Sequence, residues 1–422
     1  VAQYFPLYQR MTIRRLAAKR GWAAPNAAAE VTTVSGGALA YPKADVPFPA
    51  QPRPLNVVLI ALEGARFDML DPAVMPAVHA FGARHTTCLQ HYSGGNATRF
   101  GIFSLLYGIH ATYWQQVLAE RRGPFLIQAL ERLGYAIDIT SCTDLNFPEF
   151  RQTAFVDVLD RIHDTWPPGP RVDRDRLMTD RVVDLIESSN EPFFSFSFYD
   201  ASHSSYLYPP EFAKFSPTQT DADVDFVTLA HAGSVDRLLP LFNRYRNSLG
   251  YVDAQIARVI AALEARGILD RTVVVITGDH GEEFGESGHF THNSAFDRWQ
   301  IRPLMVAHVP GLASGSITTP TSHIDVPATI LAAIGFTAPF GDWTQGLPLG
   351  TATTRDHVLA VSWNAAALVA ADGCMVFGTE TYRPTIDLFD ADYRPANDSD
   401  AALRRWRPLL PELARQLREF SR

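Results

Sequence analysis

Cysteine is scarce in this chain. Cys88, Cys142 and Cys374 are the only three in 422 residues, an odd and widely spaced set. Such spacing supports neither a disulfide framework nor a cysteine-based zinc site, and it fits either redox compartment. Basic charge is in deficit: 37 Lys and Arg stand against 45 Asp and Glu, for a net charge of −8. That balance argues against a nucleic-acid binder, which normally carries a basic excess on some domain. Internal repeats and low-complexity tracts are absent as well. No run is long and apolar enough for a membrane helix. The charge-free stretches 100–119 and 303–324 carry Gly, His, Gln, Pro and Ser, where a span requires about 20 mostly apolar residues. No signal peptide is visible and the chain opens on Val1, so the expectation is a piece of a longer protein.

What is present is ordinary globular composition, 46% hydrophobic, 19% charged and 11% aromatic, in a chain long enough for about three domains and a sizeable core. Arg10, Arg14, Arg15, Lys19 and Arg20 all precede the first acid, Glu30. A basic opening of this kind suits a surface of anionic lipid, or simply the solvated face of one short helix over 11–20. Residues 23–53 are rich in Ala and Pro and read as a connector. From residue 55 the pattern changes: the run 55–62 (LNVVLIAL) is continuous, apolar and β-branched, as in a strand buried on both faces of a parallel sheet. Similar runs recur at 135–140, 193–199, 272–277 and 304–308. Helix-period segments lie between them, at 125–133 and at 251–266, where Val252, Ile256, Val259, Ile260 and Leu263 share one face and Gly267 stops the helix. Alternating strands and helices predict an α/β fold with a largely parallel central sheet. After residue 356, short runs at 358–363, 367–371, 375–379 and 385–389 and an amphipathic helix from Ser399 predict a smaller antiparallel subdomain. The expected divisions are 1–53 (basic helix and connector), 54–350 (α/β domain) and 351–422 (C-terminal α+β subdomain).

Open α/β sheets gather chemistry at the carboxyl ends of their strands. There the run 55–62 ends in Glu63, and 272–277 ends in Gly278-Asp279-His280-Gly281. Two carboxylates and an imidazole form a hard donor set suited to Zn²⁺, Mn²⁺ or Mg²⁺. Taken alone, an acid after a strand also serves as a helix cap, and an Asp between glycines as a turn former. The segment SGGNATRFG (93–101) has glycines for tight backbone geometry before an apolar helix. Its Thr98 would sit near the helix start, as a cap or, with a metal to lower its pKa, as a nucleophile toward phosphorus. The strand at 193–199 runs into Asp200-Ala201-Ser202-His203, and the polar loop 282–293 holds His289 and His292. These histidines are candidates for binding phosphate, protonating a leaving alkoxide or holding a second metal.

Together these segments resemble the alkaline-phosphatase-like superfamily in its sulfatase-like branch. The resemblance runs from about residue 56 to 397 and is carried by NVVLIALEGAR, SGGNATRFG, VVVITGDHGEEFGESGHFTH, Arg302-Pro303-Leu304, TSHIDVPATILAAIG and TIDLFDADYRPAND. Sulfatases place a Cys or Ser in a C/S-x-P-x-R context and paired Asp after the first strand. This chain instead has Asn96-Ala97-Thr98-Arg99 and the single Glu63. The Glu/Thr pairing resembles the phosphoethanolamine and phosphoglycerol transferases, including the lipoteichoic acid synthases. That resemblance implies that Glu63, Thr98, Asp279 and His280 bind one divalent metal (Mn, Zn or Mg), with room for a second nearby. It also implies a covalent intermediate on Thr98, catalytic roles for His203 and His292, and substrate contacts from Arg99 and His289. FPLYQRMTIRRLAAKRGW and SGGNATRFGIFSLLYGIHATYW are similar to the YejM group of inner-membrane sulfatase-like proteins. This implies a periplasmic domain whose full chain carries membrane helices, with phospholipid or lipopolysaccharide head groups and a membrane surface as partners and no nucleic acid. The expected activity is metal-dependent phosphohydrolase or phosphotransferase chemistry on such head groups. The alternatives are a lipid-binding regulatory domain without turnover and, third, a sulfatase.

Overall fold

An eight-stranded mixed sheet forms the centre of the computed structural model, which describes residues 38–190, 192–218, 235–337, 339–351, 355–379 and 386–422. From edge to edge its strands are β11 (Gly315–Ile317), β2 (Thr86–Cys88), β10 (Met305–His308), β7 (Thr272–Gly278), β1 (Asn56–Leu62), β6 (Phe193–Tyr199), β4 (Ala136–Ser141) and β5 (Ile162–His163). All neighbours pair in parallel except β10, which runs against both β7 and β2. Two short pairs, β3 (His91–Tyr92) with β12 (Thr321–Ser322) and β8 (Glu283–Phe284) with β9 (Phe290–Thr291), lie outside it.

β1, β6 and β7 are buried along their whole length, as their largely apolar sequences require. Strand side chains alternate between faces, and β1 shows the consequence. Val57, Leu59 and Ala61 enter one core, Val58, Ile60 and Leu62 the other. Helices α2 (Thr98–Tyr107), α3 (Phe125–Arg132) and α6 (Asp325–Ile334) cover the first face; α1 (Pro76–Arg84), α4 (Asp173–Ser188) and α5 (Val235–Ala265) cover the second. Each fully buried Val, Leu, Ile or Phe contributes about 1.5–3 kcal/mol, so the two-sided burial of these strands anchors the loops at their ends.

The expected α/β class with a largely parallel sheet matches this architecture. The expected stripe Val252, Ile256, Val259, Ile260 and Leu263 is buried, but the helix reaches back to Val235 and contains Pro240. That proline disguised its first part. Residues 1–37, with the basic segment expected to be helical over 11–20, lie outside the described residues.

The antiparallel sheet expected after residue 356 is formed by β13 (Val358–Val361), β14 (Ala365–Ala370), β15 (Gly373–Gly378) and β16 (Ile386–Asp390), followed by α7 (Ser399–Trp406) and α8 (Leu410–Gln416). It touches the loop before α2, since Val361 bridges to Gly95 and its N–H donates to the Gly94 carbonyl at 2.9 Å. The far end of α2 is braced too: the Tyr41 hydroxyl donates to the Tyr107 carbonyl at 2.8 Å. Among the described residues no helix is long and apolar enough to cross a membrane.

Candidate active site

β1 and β7 are adjacent and in register, with Leu62 opposite Gly278, so the next residues of each chain emerge side by side about 4.8 Å apart. Those residues are Glu63 and Asp279. The Glu63 N–H donates to the Tyr199 carbonyl and the Asp279 N–H to the Leu62 carbonyl, at 3.0 and 2.9 Å, extending the ladder to the point where the carboxylates leave it. Gly64 then turns with φ +61°, and its N–H donates to Asp279 Oδ1 at 2.9 Å.

Thr98 reaches this edge on the first turn of α2. Glycine makes the approach possible: a Cβ on Gly101 would stand 2.1 Å from the Asp279 carbonyl oxygen, and one on Gly95 2.3 Å from that of Val361. The helix and the exit of β7 are therefore in backbone contact. Ser93 Oγ ties the preceding loop to the same Asp279 carbonyl at 2.6 Å.

The Glu63, Thr98, Asp279 and His280 side chains come together at one point. Thr98 Oγ1 is 3.1 Å from Glu63 Oε2 and 3.3 Å from His280 Nε2. His280 Nε2 is also 3.3 Å from Glu63 Oε1 and 3.4 Å from Asp279 Oδ2. Its other nitrogen donates to the Gly281 carbonyl at 2.8 Å, which fixes the ring and leaves Nε2 directed at the acids. Donors bound at about 2.0–2.2 Å to one cation stand about 3.0–3.5 Å from each other; Thr98, Glu63 and His280 meet that spacing among themselves, and Asp279 meets it with His280. Asp279 Oδ2 is buried without a hydrogen-bond partner, an arrangement that costs free energy unless a cation or donor faces it. The donor set and the open oxygen both fit a divalent metal.

Electrostatics point the same way. Burial and the neighbouring Glu63 charge push the Asp279 carboxyl up to about 7. Burial opposes charge on His280, but Asp279 and Glu63 outweigh it and raise the imidazole to about 10. Burial likewise opposes charge on Glu63, and the attraction of His280 holds it below the ordinary range. Two buried acids thus share a site in which the His280 imidazole is their nearest counter-charge. A metal ion would take over the role of its proton.

Two further histidines line the same edge. His203 follows β6; its Nδ1 meets the Ser204 carbonyl at 2.8 Å. Burial lowers its affinity for a proton, but Glu63, Asp200 and Glu282 reverse this and raise it. His292 places its ring 4.3 Å from that of His280 and 6.4 Å from that of His203. Ligand atoms of Glu63, His280 and His292 lie within 4.8 Å of one another. The sequence reasoning missed what holds His292: Glu282 Oε2 accepts from its Nδ1 at 2.7 Å, and Tyr206 donates to the other oxygen of Glu282 at 2.6 Å. The signal was present, since Glu282 directly follows the Asp279-His280-Gly281 turn.

Arg99 and His289 are placed differently. The Arg99 guanidinium pairs with Glu149 and lies against the rings of Trp114 and Trp363. The His289 N–H is held by Glu283 at 3.0 Å, and its ring lies edge-on to Tyr393, 6.1 Å between centroids.

A cluster of acids and imidazoles at the carboxyl edge of such a sheet points to a class of protein, and the chain belongs to the Sulfatase family, whose model matches residues 55–336. Within it, the chain is similar to the inner membrane protein YejM of Salmonella typhi, 25% identical over 395 residues, with 91% of this chain and 60% of that protein covered. It therefore spans about 60% of the length of this relative. Among solved structures it is similar to the phosphonate monoester hydrolase of Agrobacterium radiobacter, with TM-score 0.66 and 16% identity over 86% of this chain and 96% of that one. It is also similar to the lipoteichoic acid synthase LtaP from Listeria monocytogenes, with TM-score 0.60 and 15% identity over 92% of this chain and 97% of that one. At these identities the structural likeness establishes the fold.

Proposed function

We propose that this chain is the catalytic portion of a metal-dependent phosphohydrolase or phosphotransferase with Thr98 as nucleophile. The observation that carries this reading is the convergence of Thr98 Oγ1 with Glu63 and His280 beside the unpartnered Asp279 Oδ2. Glu63, Thr98, Asp279 and His280 would hold one Mn²⁺, Zn²⁺ or Mg²⁺. Such an ion supplies Lewis acidity, lowering the pKa of the hydroxyl and offsetting charge on the phosphoryl oxygens.

The chain's own groups supply the rest. Thr98 Oγ1 passes its proton to Glu63 Oε2, the acceptor of its hydrogen bond at 3.1 Å, and attacks phosphorus as the bond to the leaving alkoxide breaks, giving a phosphothreonine. His203 and His292 face the same space and are positioned to bind phosphoryl oxygens and to protonate the departing alkoxide. Water or an acceptor hydroxyl then attacks phosphorus and returns Thr98 to its free form. Threonine at position 98, in place of an oxidisable Cys or Ser, favours phosphorus over sulfate esters.

The substrate class we infer is a phosphodiester of a phospholipid or lipopolysaccharide head group. The similarity to the inner membrane protein YejM and to a lipoteichoic acid synthase supports it, as does the basic segment ahead of Glu30. In this reading the chain works at the periplasmic face of the inner membrane, with 54–350 as its catalytic domain and 351–422 as its smaller subdomain. The test is hydrolysis of bis-nitrophenyl phosphate with added Mn²⁺, Zn²⁺ or Mg²⁺, with mass spectrometry of the Thr98 peptide. Metal-dependent turnover with phosphate trapped on Thr98 supports the reading. Turnover that persists in Thr98→Ala refutes the covalent route.

A further inference from the structure

Among the described residues seven large apolar side chains are exposed, and the two aromatic ones meet at a single place. Phe147, 70% exposed, and Trp363, 41% exposed, come from segments far apart in the chain. Their ring centroids lie 5.8 and 4.3 Å from the guanidinium carbon of Arg99, the residue directly after Thr98. Leaving two aromatic rings in water forgoes burial that proteins generally take. Finding both against Arg99, next in the chain to the candidate nucleophile, rather than scattered, calls for a reason.

Their surroundings say what kind of ligand would cover them. Glu149 already neutralises Arg99, so the rim is not a simple anion site. Trp363 is rigidly held: its Nε1 donates to Asn293 Oδ1 at 2.9 Å, beside His292, and its ring stands edge-on to Phe100 of α2 at 5.4 Å. An indole with its polar end satisfied, the Arg99 guanidinium over its ring and much of the remaining surface exposed suits a boundary between apolar and aqueous material. Asn293 also donates its N–H to the Asn96 carbonyl at 3.0 Å, so the indole borders the turn that delivers Thr98 to the site, toward which the part of a substrate beyond its phosphoryl group would extend.

Resting on the proposed phosphodiester chemistry, we propose that Phe147 and Trp363 form an aromatic rim that takes the apolar, acyl-bearing part of an amphiphilic phosphodiester presented at a lipid surface. The rim selects for lipid-borne substrates, whereas the metal-ready cluster carries out the reaction.

The experiment compares kcat/KM for phosphatidylethanolamine in non-ionic detergent micelles with kcat/KM for bis-nitrophenyl phosphate. It uses the wild type, Phe147→Ser, Phe147→Leu and Trp363→Ser, with thermal melts to show that each is folded. The most exposed position, Phe147, keeps the test valid if Trp363→Ser does not fold. Loss of one ring's contact should lower the ratio of micellar to soluble kcat/KM about tenfold in Phe147→Ser, with Phe147→Leu recovering most of it. An unchanged ratio overturns the rim.

A second readout separates this idea from the catalytic one. Sedimentation with vesicles of phosphatidylethanolamine and phosphatidylglycerol is measured for Thr98→Ala with and without Phe147→Ser. Should the wild type turn over neither substrate, vesicle binding that weakens with Phe147→Ser keeps the rim while the catalytic reading falls. In that case, vesicle binding that is absent, or unaffected by Phe147→Ser, overturns the rim as well.

Discussion

Asp279 and Asp325 are both buried carboxylates, 0% and 2% exposed, and burial pushes both toward the neutral form. They differ in how their oxygens are filled. Asp325, at the start of α6, accepts from the Ser322 N–H on one oxygen and from the Leu347 N–H on the other, each at 2.8 Å. Arg355 adds an ion pair. Asp279 accepts from Gly64 and His280 N–H groups on Oδ1 alone, at 2.9 and 2.8 Å, and Oδ2 has no donor. One acid ties α6 to the loops around it. The other is held in place by its backbone partners and presents an open lone pair beside Glu63, His280 and Thr98. Burial by itself therefore does not separate these two acids; the unfilled oxygen, set beside an imidazole and a second acid, is what the proposed function uses.

The sharpest way to break this contrast is at the reacting atom. Thr98→Ala should lower metal-dependent phosphodiester turnover at least about 10³-fold while the melting temperature stays close to that of the wild type. A variant that retains turnover would show that the open site does not use this hydroxyl. Next come the two acids themselves, compared by urea unfolding in chelator. Asp325→Ala leaves Arg355 without its buried partner and should cost about 3–5 kcal/mol. Asp279→Asn replaces a buried acid, one oxygen of which accepts no hydrogen bond, with a neutral amide and should leave the metal-free protein no less stable than wild type at neutral pH, yet abolish metal-dependent turnover. Equal losses of stability would erase the distinction. A smaller effect is expected one layer out. Glu282→Gln, which weakens the hold on His292, should reduce turnover about 10–100-fold, read as kcat/KM at saturating metal.

The gentlest test is the pH dependence of stability without metal. An unfolded chain gives up the Asp279 proton near the ordinary value of 3.8, whereas the folded protein holds it up to about 7. Between those values the unfolded state binds fewer protons, so this group's contribution to stability falls as pH rises. The slope should not exceed about 1.4 kcal/mol per pH unit, and Asp279→Asn should flatten it. A slope of opposite sign would mean that the carboxylate is already satisfied.

Much of this was legible in the sequence because the informative residues follow continuous apolar runs. Strands buried on both faces announce themselves, and the polar residues that end them, Glu63 and Asp279-His280, stand at the sheet's carboxyl edge by topology alone. What the sequence concealed has physical causes as well. β2 and β11 are three residues each, too short to show a period, and the reversed direction of β10 is a tertiary property with no local signature. Pro240 concealed the early turns of α5 because packing against the sheet overrides its poor helix propensity. Glu282 and Tyr206 escaped notice because their role lies in a hydrogen-bond chain between residues 76 positions apart. The pairing of Phe147 and Trp363 over Arg99 likewise exists only once the chain is folded.

In the proposed function Glu63, Thr98, Asp279 and His280 together hold one divalent cation. Anomalous diffraction from crystals soaked in Mn²⁺ or Zn²⁺ measures it most directly. A single strong peak within bonding distance of these four side chains, with Asp279 Oδ2 among its ligands, is the predicted result. No peak there, or one bound elsewhere while Asp279 Oδ2 accepts a hydrogen bond from protein or water, would contradict it.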